Sequence, residues 1–192
     1  MALCFTHAAA GYLVYEAARP AGAHRLGLLA TAVVLANAPD LDFAPGVLAG
    51  VPAMFHRGPT HTVGAALVVG LLAAAAGRWR RPDGYGAMWW AGFAVAAYAS
   101  HLLVDFVTVD AVMPYGARFL WPVSDRFFHA GTAWFGEIVI DPSSRLGFLR
   151  SLLTPAALLA WLEELLRAVV VVGAVAVVRA VGSRSRLPRF AE

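Results

Sequence analysis

The stretch His56-Arg57-Gly58-Pro59-Thr60-His61 runs directly into an apolar segment, Thr62–Ala76. A second such boundary, Ser100-His101-Leu102-Leu103-Val104-Asp105, closes the apolar run that opens at Ala87. In both places histidines stand at the edge of long hydrophobic segments, where an unpartnered imidazole is costly. Alanine-, leucine- and valine-rich runs without turn residues favour helix over strand. Working outward, three more runs read the same way: Leu3–Ala18, Leu26–Ala36 and Leu165–Val181. The expected fold is therefore all-α, a membrane-embedded bundle of about five apolar helices.

Composition supports that class. Of 192 residues, 60% are hydrophobic and 14% charged, against about 45–50% and about 25% in soluble domains. Several runs fall short of the ~20 residues that cross a bilayer core. In isolation only the segments beginning at Ala87 and Leu165 are spanning candidates, and a bundle partly sunk in the membrane is the competing reading. A net charge of +3, with no basic run interleaved with aromatics, does not suggest nucleic-acid binding. Cys4 is the only cysteine, which excludes an intrachain disulfide and thiolate-rich zinc sites. The first basic residue is Arg19, so the N-terminal run reads as a retained helix rather than a signal peptide.

The arginines set an expected topology. Arg19 and Arg25 flank the first connection, Arg78, Arg80 and Arg81 fill the third, and Arg179, Arg184, Arg186 and Arg189 follow the last helix. Alternating helices put these places on one side, and arginine enrichment makes that side cytoplasmic. The other side then collects every acidic residue except Glu16, Asp83 and Glu192, and every histidine except His24. An inner-membrane, multi-pass protein with its site on the extracytoplasmic face is expected. One domain covers 1–182, with 183–192 a short cytoplasmic tail. The segment 108–164 is too long for a plain connector, and short extra helices are expected near Arg145–Leu153 and Ala156–Leu162.

His101 and Asp105 are four apart, so both project from one helix face. That suits two metal ligands, and equally a hydrogen-bonded pair inside a bundle. Pro59 favours a first helical turn, placing His61 at the start of the third long helix, with Gly58 letting the loop bring His56 close. Beyond Pro39 the chain is expected to be extended, so that Asp40 and Asp42 face the same way; both also read as solvated loop acids. Asn37 is a helix cap or a polar supporting group. His7 lies near the outer end of the first helix. The metal-ligand candidates are therefore His7, Asp40, Asp42, His56, His61, His101 and Asp105. The catalytic candidates are Asp42, His61, Asp105 and Glu163, with Arg57 to orient an anion. His129, Glu137 and Glu164 are reserves. A His and carboxylate set without thiolate suits one or two divalent ions, zinc first, then manganese or iron. The absence of a Gly-rich phosphate loop and of G-x-S-x-G disfavours P-loop and serine-esterase chemistry.

Thr6-His7, Pro39-Asp40-Leu41-Asp42, His56-Arg57-Gly58-Pro59-Thr60-His61 and Ser100-His101 with Asp105 resemble the YdjM-like family. Tyr115-Gly116, Leu120-Trp121-Pro122 and Leu162-Glu163-Glu164 extend the resemblance over most of the chain, with Thr62 standing where that family commonly has serine. The resemblance implies an inner-membrane, metal-dependent hydrolase. More distantly, the donor arrangement is similar to zinc-dependent phospholipase C, an analogy that points to phosphodiesters. A phospholipid or other lipid-linked phosphoester is the expected substrate, with membrane lipids as partners. The alternative is a non-catalytic membrane protein whose metal serves structure or sensing and which binds a regulatory partner.

Overall fold

The computed structural model describes residues 4–19, 25–80, 85–108, 115–130 and 139–184. The elements in chain order are α1 (Cys4–Ala18), α2 (Leu26–Asn37), a 3-10 turn (Ala38–Asp42), α3 (Phe43–Ala49), a second 3-10 turn (Pro59–His61), α4 (Val63–Arg80), α5 (Ala87–Phe106), α6 (Arg145–Ser151) and α7 (Pro155–Arg184). The fold is all helical, and among the described residues the only β-type pairing is the isolated bridge between Ala117 and Phe128. Glu137 and His24 lie outside the described residues, as does most of the expected tail.

Helices α1, α2 and α5 share a core of Tyr15, Leu28, Ala32, Phe93 and Ala97. Small residues allow the close approach. A Cβ on Gly11 would sit 2.7 Å from the Ala32 carbonyl oxygen, so only glycine lets α1 lie this near α2, as in small-residue contacts between membrane helices. Helix α4 packs on α5, and α7 packs on α1. Phe5 meets Trp161 edge-on at 5.7 Å, while Arg179 bonds Glu16 at 3.0 Å near the other end of both helices, so α1 and α7 run parallel. The Glu16 carboxylate also pairs with Arg19 at 2.7 Å.

Among the described residues, three stretches are long and apolar enough to cross a membrane: Leu26–Ala49, Ala87–Phe106 and Pro155–Gly182. The first differs from the sequence reading. Pro39 does not end the helix in extended chain; its fixed φ is also compatible with a 3-10 turn, which carries α2 on into α3. The expected short helix at Ala156–Leu162 is the start of α7, which opens with Pro155 and continues for 30 residues. The expected helix near Arg145 is present as α6, with the Ser144 hydroxyl accepting from the Gly147 amide. Arg145 extends from it to the Val47 and Leu48 carbonyls at 2.8 and 2.6 Å, satisfying the exposed end of α3.

Candidate metal centre

Five elements meet where α1, the end of α2, the Ala38–Asp42 turn, the Pro59–His61 turn and the end of α5 converge. His7, His61 and His101 are fully buried there, with Asp105 3% exposed. The tight α1–α2 contact at Gly11 holds His7, one turn earlier, against the site, where its ring stacks on His101 at 3.7 Å.

Around the centre, Asp40 Oδ1, His61 Nε2, His101 Nε2 and Asp105 Oδ2 form a quartet. His61 Nε2 lies 3.4 Å from Asp40 and 3.6 Å from Asp105. His101 Nε2 lies 3.5 Å from Asp40 and 3.3 Å from Asp105, and the two imidazole nitrogens are 3.2 Å apart. Donors bound tetrahedrally at about 2.0–2.1 Å lie about 3.3–3.4 Å from one another. These five donor–donor distances, 3.2–3.6 Å, bracket that spacing.

The far side of each imidazole is already engaged. His101 Nδ1 is 2.8 Å from the Ala36 carbonyl, so it must carry the proton, leaving a lone pair on Nε2. His61 Nδ1 is 3.1 Å from Asp42 Oδ2. With that nitrogen protonated as well, two Nε2 lone pairs point at one another across 3.2 Å. Such an arrangement is repulsive unless a proton or a cation stands between them. In the ion-free chain, burial pushes the His61 imidazolium down, but Asp40 and Asp42 outweigh it and its pKa rises to about 9. Burial pushes His56 below its ordinary value, against the pull of Asp42.

Asp42 sits behind the quartet. Its Oδ2 accepts from the Thr60 hydroxyl at 2.8 Å and the Arg57 amide at 3.1 Å, and its Oδ1 lies 3.0 Å from His56 Nδ1. In a 3-10 turn successive residues rotate by about 120°, so Asp40 and Asp42 diverge rather than sharing a face. The Pro59–His61 turn is also separate from α4, which starts only after Thr62; the Thr62 hydroxyl caps it by accepting from the Ala65 amide at 3.0 Å. Tyr98 pins the turn to α5 by donating to the Thr60 carbonyl at 2.7 Å. Gly58 is required because a Cβ there would meet the Phe55 carbonyl at 2.8 Å. Arg57 takes the left-handed φ of 59°, and its guanidinium donates to the Gly116 carbonyl at 3.0 Å.

Among the described residues, two donor groups could hold a metal ion by proximity alone: His7 with His101 and Asp105, and Asp40 with His56 and His61. His7 Nδ1, His7 Nε2, His56 Nε2 and Asp105 Oδ2 are buried without a hydrogen-bond partner, and such atoms are costly to leave unsatisfied. The donor set fits a divalent transition metal. Asp40 is the most open donor residue, its side chain 24% exposed.

Every candidate ligand read from the sequence lies in this cluster. Glu163 does not: its side chain is 58% exposed and pairs with Arg167 at 3.2 Å, whereas its neighbour Glu164 is buried. His129 packs against Tyr115. Asn37 bonds the Val33 carbonyl of its own helix at 2.9 Å. Thr60 and the Ala36 carbonyl, which orient the histidines, were not singled out. Thr60 lies inside the motif already marked, but a backbone carbonyl leaves no sequence signal.

A bundle of apolar helices with a buried His and carboxylate cluster that could hold a metal ion defines a membrane protein with a candidate metal centre. The chain belongs to the YdjM inner membrane protein family, whose model matches residues 1–185. No curated protein and no solved structure matches it.

Proposed function

We propose that this protein is a membrane-embedded, metal-dependent hydrolase acting on a phospholipid or other lipid-linked phosphoester. The observation that carries the reading is the approach of His61 Nε2 and His101 Nε2 to 3.2 Å, flanked by the carboxylates of Asp40 and Asp105. A divalent ion bound there supplies Lewis acidity and lowers the pKa of water to about 7. The chain's own groups then have separable tasks. His61, His101, Asp40 and Asp105 hold the ion, and Asp42 keeps the His61 proton on Nδ1, as outer carboxylates do at zinc sites. His56, tied to Asp42 through Nδ1 and without a partner at Nε2, moves a proton at Nε2. Arg57 draws the anionic group toward Asp40, the most exposed of the donors. The arginine distribution supports a site on the extracytoplasmic face, at headgroup level, where a lipid phosphoester arrives without leaving the bilayer.

One observation favours a second reading. The quartet already offers four protein donors, the number that closes a structural zinc site, which suits a metal serving structure or sensing with a regulatory partner. Metal analysis of gently solubilised protein, followed by a lipid-phosphoester panel with and without chelator, separates the two. The hydrolase reading expects bound transition metal and chelator-sensitive release of headgroup or phosphate. Bound metal with no turnover, and unfolding on chelation, supports the second. Protein that binds no transition metal overturns both.

A further inference from the structure

We infer that the centre holds two ions bridged by Asp40 and Asp105, with His7 as the terminal ligand of the second. This rests on the metal-dependent reading above. Each carboxylate divides its oxygens. Asp40 Oδ1 and Asp105 Oδ2 face the His61–His101 pair, while Asp40 Oδ2 lies 3.9 Å and Asp105 Oδ1 3.7 Å from His7 Nε2. His7 is fully buried, and neither of its ring nitrogens has a hydrogen-bond partner. Its Nε2 is therefore a buried donor aimed at the two oxygens that the quartet leaves over. Carboxylates shared in this way hold paired ions about 3.5–4 Å apart in two-metal hydrolytic sites.

The His56 side does not offer the same. Asp42 Oδ2 accepts from the Thr60 hydroxyl and the Arg57 amide and lies beside His61 Nδ1, and its Oδ1 meets His56 Nδ1. Both oxygens of that carboxylate already face N–H or O–H donors, so an ion on this side would draw on Asp40, His56 and His61, of which Asp40 Oδ1 and His61 Nε2 already serve the quartet. The coordination numbers point the same way. The quartet supplies four donors, a closed shell, whereas His7, Asp40 and Asp105 supply three, the number found where a catalytic zinc keeps a fourth position for water or substrate. Two divalent ions against two carboxylates also leave excess positive charge for an anionic phosphoester.

The test is metal stoichiometry and Mn(II) electron paramagnetic resonance on the full chain in detergent or nanodiscs, without any activity assay. Wild type is expected to bind two ions per chain, and its second equivalent of Mn(II) to replace the isolated-ion hyperfine sextet with an exchange-coupled spectrum. His7→Ala is expected to bind one ion, with the sextet retained at every loading. Wild type that saturates at one ion, or a His7→Ala protein that still gives a coupled pair, overturns the second site and leaves the hydrolase reading standing. No ion in wild type removes both. Because the coupled spectrum is read on wild type, the inference stays falsifiable even where His7→Ala fails to fold.

Discussion

His61 Nδ1 lies 3.1 Å from Asp42 Oδ2, on the side of the imidazole away from the donor quartet. Asp42 thereby fixes which nitrogen of His61 carries a proton and which faces the centre. Asp42→Asn keeps the shape but removes the charge that favours the Nδ1–H tautomer. Loss of such an outer partner costs about 10–100-fold in metal affinity. The expected result in a chelator-competition titration is a drop of that size for Asp42→Asn, against complete loss of the ion for Asp105→Ala. Equal effects of the two would remove the distinction between holding and orienting.

The ion-free chain should respond to pH in the sense opposite to the loaded one. With its pKa raised to about 9 from the ordinary 6.5, protonated His61 stabilises the folded ion-free state fully below pH 6.5. That contribution is lost as pH rises through about 9. Chelated protein is therefore expected to melt lower at pH 9.5 than at pH 6. Metal binding needs the proton gone, so affinity rises with pH, by up to about tenfold per unit below 9. Thermal melts at both pH values, with and without chelator, read both trends, and a pH-independent ion affinity would show that His61 is not a ligand.

How much of this could be read beforehand depends on what fixed each geometry. His101 and Asp105 were legible because a helix dictates that residues four apart share a face, and α5 is a regular helix throughout. Asp40 and Asp42 were legible as members of the site but not as to role. Their divergence follows from a 3-10 turn that joins α2 to α3, and the proline rule suggested extended chain instead. Glu163 and Glu164 differ by about 100° around α7, and packing of α7 on α1 decides which of them is buried. Bonds such as that of His101 to the Ala36 carbonyl span 65 residues, so no local pattern announces them.

Cys4 offers a native probe of orientation. It is the only cysteine, it is exposed, and it opens α1 at the same end as His7 and the donor cluster. If the proposed orientation holds, with the arginine-rich ends in the cytoplasm, a membrane-impermeant maleimide labels Cys4 in intact spheroplasts. Cys4→Ser supplies the background. Labelling that requires permeabilised membranes would put the centre on the cytoplasmic side, leaving its donor geometry untouched.

Arg57 separates backbone from side chain. Its amide donates to Asp42 and its φ is 59°, a left-handed conformation that costs a non-glycine residue about 1–2 kcal/mol. Arg57→Gly keeps the amide and relieves that strain, so the Asp42 contact and the metal content are expected to survive. The guanidinium is lost, and with it the bond to the Gly116 carbonyl and the positive charge offered to an anionic substrate. If that charge acts on substrate binding, KM for a phosphoester rises by about tenfold or more, a loss of about 1.4 kcal/mol or more of binding, with a smaller change in kcat. Adding free guanidinium should restore part of it. Metal content that falls with the side chain, or a KM that does not move, would assign Arg57 to holding the loop instead.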